Sequence, residues 1–246
     1  MPRTRIESET LTLIDGRPLA LAHRGARLQA PENTVSAFQL VLDHGCDGFE
    51  CDVRATADGQ IVICHDADYM GLEVADSNYA ELALAAEACS CEKPARLDEL
   101  ISRFGERAYM DLELKLPGMA ARLTELLKDT RRESVLVSSF LSEALEEMRS
   151  ADASLQLAGI CDDGRELERW QRAQVQAMVL HLRLVSPEVV HRFQTGGKQV
   201  MVWAAERAHE IELLMEMGVD GIISGHTRIL ADKVTRPKAR AAALGR

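Results

Sequence analysis

The sequence lacks any apolar segment of the kind that sends a chain to a membrane or out of the cell. None of its apolar runs approaches the length of a membrane-spanning helix. The first residues, Met1 to Gly16, mix Arg, Glu, Ser and Asp with scattered apolar residues, and they form no apolar core like that of a signal peptide. We therefore expect a cytoplasmic protein without stable membrane insertion.

The chain also has fewer basic than acidic residues. The chain has 29 Lys and Arg residues against 39 Asp and Glu residues, which gives a formal net charge of -10 at pH 7. This balance argues against a nucleic-acid partner, because phosphate backbones require a basic face, and it disfavours an anionic membrane surface for the same reason. If the substrate is a phosphate ester, cations inside a pocket must meet its charge locally.

The six cysteines include no CxxC pair and show no regular spacing. In a reducing compartment we expect them to be free thiols. Cys89-Ser90-Cys91 offers half of a soft-metal site, but a second ligand pair is missing. A site of that kind is therefore disfavoured.

Length and apolar pattern indicate one α/β domain. The 246 residues contain no linker rich in Gly, Pro or Ser, and 46% of them are hydrophobic, which is enough for a large core. Short apolar runs alternate with stretches whose apolar residues recur every three or four positions, as in repeated βα units. The predicted strands are Leu19–His23, Gly48–Val53, Ala108–Leu114, Ser134–Ser138, Leu155–Ile160, Ala177–Leu182, Gln199–Trp203 and Gly221–Ser224.

These features predict a (β/α)₈ TIM barrel that occupies residues 1–246 as a single domain. An extra strand over Gln60–Cys64 is expected after the second strand, followed by a short, partly helical insertion at about residues 66–94. A doubly wound open sheet is the alternative fold. It would normally carry a GxGxxG turn after its first strand, which this sequence lacks.

Polar side chains end several of the predicted strands, where a barrel carries its reacting groups. Glu50 and Asp52 fall on one side of the second strand because strand side chains have a period of two. Two inward carboxylates repel each other, and a hard divalent cation, magnesium or calcium rather than zinc, resolves the conflict. The third strand adds Glu113 and Lys115 on one face.

The other candidates are His23 and Arg24, which end the first strand, and His65, which ends the extra strand. Each feature has a structural explanation as well, since a His-Arg pair at a strand end or a Glu113–Lys115 ion pair is common without catalysis. The conjunction of two histidines, three carboxylates, an arginine and a lysine at consecutive strand ends favours a catalytic site.

The same residues lie in three motifs of a known family. Residues 21–38 read LAHRGARLQAPENTVSAF, residues 48–66 read GFECDVRATADGQIVICHD, and residues 112–115 read LELK. With these motifs the chain resembles the glycerophosphodiester phosphodiesterase family, most strongly over residues 19–66.

The resemblance implies a metal-dependent enzyme that hydrolyses glycerophosphodiesters, which are small molecules, to sn-glycerol 3-phosphate and an alcohol. The implied roles are general acid and base for His23 and His65, divalent metal binding for Glu50, Asp52 and Glu113, phosphate binding for Arg24 and Lys115, and a wall of the substrate pocket for Trp203. The nucleophile, either water or a substrate hydroxyl, stays open, as does assembly into a homo-oligomer.

The sequence departs from the family pattern at several positions. Residues 67–71 replace the usual Arg-Thr stretch, Ala204, Ala205 and Glu206 follow the tryptophan, and Gly225 stands where an acidic residue is usual. These changes leave the alcohol specificity open. The alternatives are a lysophospholipase D-type or other phosphodiester hydrolase on the same barrel, and an inactive binding homologue.

Overall fold

A computed structural model describes residues 16–235 of the chain. Its strands, in chain order, are β1 (Leu19–His23), β2 (Gly48–Ala55), β3 (Ile61–Ile63), β4 (Asp68–Tyr69), β5 (Leu72–Glu73), β6 (Tyr109–Leu114), β7 (Val135–Ser139), β8 (Gln156–Cys161), β9 (Ala177–His181), β10 (Gln199–Trp203) and β11 (Gly221–Ser224). All of them except β3, β4 and β5 run parallel, and they close into an eight-stranded barrel through pairing of β1 with β11.

Helices follow the barrel strands and cover the outside of the barrel. They are α1 (Val35–His44), α2 (Tyr79–Ala88), α3 (Leu97–Phe104), α4 (Ala120–Leu127), α5 (Ser142–Ala151), α6 (Leu167–Arg172), α7 (Pro187–Thr195), α8 (Ala208–Glu216) and α9 (Thr227–Leu230). In α1 the Thr34 hydroxyl accepts a hydrogen bond from the amide of Ala37, and Gly45 ends the helix at φ 86°. Across residues 16–235 no helix is both long and apolar enough to span a bilayer.

The core has two layers because side chains alternate along each barrel strand. On β2, Phe49 points outward and packs with Phe38 of α1 and Phe104 of α3, at ring-centroid distances of 4.2 and 5.5 Å from these two rings. A second cluster, which includes Leu21 and Met201, fills the barrel interior. Glu50 and Asp52, which alternate with the outward residues of β2, therefore face the interior.

The segment after β2 departs from the repeating βα pattern. β3 runs antiparallel to β2, with Val53 opposite Ile63, and a hairpin of β4 and β5 and the helix α2 precede α3. This is the short, partly helical insertion that the sequence predicts.

The predicted fold is confirmed. All eight predicted barrel strands are present, with boundaries within two residues of those expected. That residues 1–246 form one domain stays a prediction, because residues 1–15 and 236–246 lie outside the described part of the chain.

Close packing between a strand and its covering helix makes Gly159 of β8 a sensitive position. A Cβ atom there would lie 2.3 Å from the Trp170 ring, which is fully buried on α6. Since such an overlap forces core atoms apart, we expect Gly159→Ala to lower the free energy of unfolding by about 2–3 kcal/mol. Urea denaturation measures the free energy of unfolding of the variant and of the wild-type protein. Gly164→Ala is the control, because its nearest neighbour is Leu184 at 3.7 Å, and an equal loss in both variants would contradict the explanation.

Candidate active site

The candidate residues converge in one cleft at the carboxyl ends of the barrel strands. Its lining contains nearly all of them, namely His23, Arg24, Glu50, His65, Glu113, Lys115 and Trp203. Asp52, the remaining candidate, is fully buried and lies against Lys115 and Arg24. The strand ends therefore bring together the whole set of predicted side chains.

Three carboxylates form the acidic centre of the cleft. Glu50 and Asp52 come from β2, and Glu113 comes from β6, where it pairs in register with Asp52. One oxygen of each lies within 4.8 Å of the others. Burial, together with the charges of Asp52 and Glu113, raises the pKa of Glu50 well above its usual value. The buried Oε1 of Glu50 has no hydrogen-bond partner, as expected of an oxygen donor set suited to a hard divalent cation.

Two side-chain cations flank these carboxylates. Lys115 Nζ lies 2.8 Å from Asp52 Oδ1 and donates to Glu113 Oε1. Burial lowers the pKa of Lys115, but the charges of Asp52 and Glu113 outweigh this effect and raise it, so the ammonium stays protonated. Arg24 Nε lies 3.2 Å from Asp52 Oδ2 on the other side.

The turn after β1 holds Arg24 over the site. Arg24 adopts φ 57°, and its amide donates to the backbone oxygen of Glu50 and, at 3.0 Å, to Glu50 Oε2. Gly25 follows at φ 82°, where a Cβ would lie 2.8 Å from that of Ala37. Further along this loop, the Asn33 side-chain amide donates to Asp52 Oδ2 at 2.7 Å. The first loop thus contacts both metal-candidate carboxylates of β2.

The two histidines stand in different surroundings. His23 Nε2 lies 3.9 Å from Glu50 Oε2, and burial, with the charges of Arg24 and Arg27, lowers the pKa of His23 to about 3. His65 is more exposed, and its Nδ1 lies 2.7 Å from Asp66 Oδ1. His23 is therefore neutral at pH 7, whereas His65 has a carboxylate that fixes its ring orientation.

The opposite wall of the cleft is apolar and comes from the later strands. It contains Phe140, Ile160, Val179, Trp203 and Ile223. The Trp203 ring lies 6.1 Å from the His23 ring and packs edge-on against His181, with 4.8 Å between centroids. One side of the cleft is thus charged and the other is able to contact carbon atoms.

Comparisons with known proteins give the family of this chain. The model of the glycerophosphoryl diester phosphodiesterase family matches residues 23–100 and 93–228. The chain belongs to this family. A glycerophosphodiester phosphodiesterase of Caldanaerobacter subterraneus subsp. tengcongensis is 27% identical over 241 residues, which cover 89% of this chain and 99% of the relative. The predicted family and enzyme class, a phosphoric diester hydrolase, are confirmed.

Solved structures share the barrel. A putative glycerophosphoryl diester phosphodiesterase from Silicibacter pomeroyi superimposes with a TM-score of 0.76 at 24% identity, covering 91% of this chain and 96% of the other. An Oleispira antarctica phosphodiesterase in complex with the product sn-glycerol-3-phosphate has a TM-score of 0.76 at 23% identity, with coverages of 89% and 97%. These likenesses confirm the fold.

Two of the departures from the family pattern, Glu206 and Gly225, lie in one cluster beside the site. Glu206, which follows β10, accepts a hydrogen bond from Arg27 at 2.8 Å and another from the amide of Gly225 at 3.2 Å. A Cβ at position 225 would lie 2.6 Å from Arg27 Nε, so a larger residue there would displace the arginine side chain. His226 Nε2 lies 4.0 Å from Glu206 Oε2. Glu206 therefore places a carboxylate beside Gly225, the position at which this chain lacks the acidic residue usual in the family.

Asp111 is a member of the site that the sequence reasoning missed. It lies on β6 two residues before Glu113, lines the cleft, and is fully buried. Its Oδ1 accepts from the Ser138 hydroxyl at 2.6 Å, and its buried Oδ2 has no partner. Burial raises the pKa of Asp111 to about 7, against the opposing hydrogen bond from Ser138. The alternation of side chains along a strand, which places Glu113 and Lys115 on one face, places Asp111 on the same face and could have indicated it.

The raised pKa of Asp111 predicts a pH-dependent stability in the metal-free protein. The pKa of Asp111 is about 4 in the unfolded chain and about 7 in the folded protein. Between these pH values only the folded protein keeps the proton, so stability falls as the pH rises. Asp111→Asn removes this loss. We expect the free energy of unfolding of the variant, relative to that of the wild-type protein, to rise by about 2–3 kcal/mol between pH 5 and pH 8. Urea denaturation in EDTA at both pH values measures the difference. An advantage that does not change with pH would contradict the assignment.

Proposed function

We propose that this chain hydrolyses glycerophosphodiesters to sn-glycerol 3-phosphate and an alcohol in a metal-dependent reaction. The observation that carries the proposal is the cleft itself, in which three carboxylates with oxygens within 4.8 Å of one another lie beside two histidines and two cations. Membership of the family supports the reaction class. The role proposed for each residue comes from the resemblance of the motifs to the family, and the geometry of the cleft supports it.

Glu50, Asp52 and Glu113 would bind the metal ion, magnesium or calcium. Their buried oxygens repel one another in its absence, as the raised pKa of Glu50 indicates. When bound, a divalent ion polarises the phosphoryl oxygens and offsets the charge that develops on them.

Arg24 and Lys115 would contact the phosphate. With Glu50, Asp52 and Glu113 ionised around a divalent ion, these three carboxylates, the ion and the two side-chain cations together would carry one net positive charge. A phosphodiester carries the opposite charge. Both cations are held at fixed positions by Asp52, so they are oriented before the substrate arrives.

His23 and His65 would share the proton transfers. One imidazole removes a proton from the attacking hydroxyl, and the other protonates the alkoxide that leaves the phosphorus. The lowered pKa of His23 keeps it in the neutral, proton-accepting form at pH 7. Asp66 would orient His65 for the complementary step. Trp203, on the apolar wall, would contact the carbon atoms of the substrate.

The proposal is tested by identifying the products. Purified protein with Mg²⁺ or Ca²⁺ is incubated with glycerophosphocholine and with glycerophosphoethanolamine, and sn-glycerol 3-phosphate is measured with its dehydrogenase. We expect metal-dependent release of sn-glycerol 3-phosphate and the free alcohol. Release of glycerol with a phosphorylated alcohol would show cleavage of the other ester bond, and no turnover of any diester would support the inactive binding homologue.

A further inference from the structure

Arg54 is a basic residue beside the active site that belongs neither to the metal site nor to the phosphate site. It lies near the end of β2, and the alternation of side chains puts it on the face that carries Glu50 and Asp52. The side chain is half-buried but is not part of the cleft lining. Within residues 16–235 it pairs with no carboxylate. Since a half-buried charge is costly unless its donors are used, the contacts of Arg54 indicate its role.

The guanidinium of Arg54 donates to one backbone oxygen, that of His65. Nε of Arg54 lies 3.1 Å from this oxygen and Nη2 lies 2.8 Å from it. Hydrogen bonds from a charged donor are stronger than those between neutral groups, and two donors of one planar group fix direction as well as distance. Arg54 therefore holds the peptide group that joins His65 to Asp66.

His65 depends on this contact because it lies beyond the end of its strand. β3 ends at Ile63, and the amide of Cys64 still donates to the backbone oxygen of Asp52 at 2.9 Å. The imidazole of His65 is bonded to the side chain of Asp66, which is 79% exposed. A carboxylate that can turn in water does not by itself fix the ring. The place of the imidazole therefore follows from the backbone that carries both side chains.

We propose that Arg54 is a positioning residue for His65: it holds the peptide between His65 and Asp66 so that the imidazole stands where it can protonate the leaving alkoxide. This inference rests on the proposed function, and it gives Arg54 no contact with the substrate or the metal ion. The effect on the rate can be large, because a displacement of about 1 Å in a reacting group can cost about a hundredfold.

The test uses two substrates with different leaving groups. Glycerophosphocholine releases an alkoxide that must be protonated, whereas the 4-nitrophenyl ester of glycerol phosphate releases a phenolate that needs no proton. We expect Arg54→Ala to lower kcat about tenfold to a hundredfold on glycerophosphocholine, and about twofold or less on the aryl ester. Arg54→Lys keeps the charge but loses the planar pair of donors, and its kcat on glycerophosphocholine should lie between those of Arg54→Ala and the wild-type protein.

A double-mutant cycle shows whether Arg54 acts through His65. In the His65→Ala protein the group that Arg54 positions is missing, so adding Arg54→Ala should not lower kcat on glycerophosphocholine any further. In the His23→Ala protein the same change should lower kcat by its full factor.

Metal binding provides a readout that does not depend on activity. The hydrogen bonds of Arg54 go to His65 and not to the metal-candidate carboxylates, so Arg54→Ala should keep the whole gain in unfolding free energy on addition of Mg²⁺, measured by urea denaturation. Arg149→Ala is the matched control. Arg149, at the end of α5 and outside the cleft lining, also donates to backbone oxygens, those of Ala153 and Leu155, and its loss should leave the ratio of the two kcat values unchanged.

The possible failures are distinguishable. An unchanged kcat in Arg54→Ala, equal losses on the two esters, a further loss in the His65→Ala protein, or loss of the metal-induced gain would overturn the positioning role and leave the proposed function in place. If Arg54→Ala does not fold, Arg54→Lys is judged by the same criteria. No metal-dependent turnover of either ester by the wild-type protein would overturn the proposed function, and the positioning role with it.

Discussion

Removing the metal ion with EDTA is expected to lower glycerophosphodiester hydrolysis by about a thousandfold or more, and Mg²⁺ or Ca²⁺ should restore it. A bound metal contributes several kcal/mol of charge stabilisation at a phosphoryl centre, and each 1.4 kcal/mol is a factor of ten in rate. The physical reason lies in the triad of Glu50, Asp52 and Glu113, whose oxygens lie within 4.8 Å of one another, and in the burial that, with the charges of Asp52 and Glu113, raises the pKa of Glu50 well above its usual value.

Stability provides a readout that does not depend on activity. Because the metal binds only the folded protein, saturation at about 100 times Kd should stabilise it by about 2.7 kcal/mol. Asp52→Asn should lose this increment. Asp47→Asn is the control, since Asp47 pairs with Arg17 just before β2 and outside the cleft, at 2.6 Å. Two results would contradict the metal site. One is hydrolysis that persists in EDTA, and the other is a metal-induced gain in unfolding free energy that Asp52→Asn retains.

The barrel was predictable because its signals are local. Each barrel strand is a short apolar run that must be buried on both faces, and each following helix repeats its apolar residues with helical spacing. These patterns depend on neighbouring residues alone, which is why all eight strands were found within two residues of their observed ends. The family motifs identified the two histidines and the metal-candidate carboxylates for the same reason, since they are contiguous in sequence.

What escaped prediction depends on contacts between distant segments. The pairing of Arg27 with Glu206 joins positions 179 residues apart. A groove lined by Pro31, Asp68 and Pro94 forms only where the first loop lies against the insertion. Asp111 shows a different limit. The periodicity places it inside the barrel, but its protonation follows from burial and from the register that sets Ser138 of β7 beside β6, which no single segment encodes.

Replacing either histidine is expected to lower kcat by about 10²- to 10⁴-fold on alkyl diesters, the usual contribution of a positioned acid or base. Both variants should keep the fold. His23 Nδ1 has no partner to abandon, and the Asp66 side chain, released from His65, is already 79% exposed to solvent. His191→Ala, on the exposed surface of α7, is the control and should leave the rate unchanged.

The leaving group separates the two roles. The 4-nitrophenyl ester of glycerol phosphate releases 4-nitrophenolate, a stable anion that needs no proton. Loss of the general acid should therefore cost little activity on this substrate, while loss of the base should cost as much as before. We therefore expect His65→Ala, which lacks the proposed acid, to recover most of its activity on the activated ester, and His23→Ala, which lacks the proposed base, to stay impaired. If both recover, or neither does, the two imidazoles do not divide the proton transfers between them. The different surroundings of His23, buried beside Glu50, and of His65, paired with Asp66, would then need another explanation.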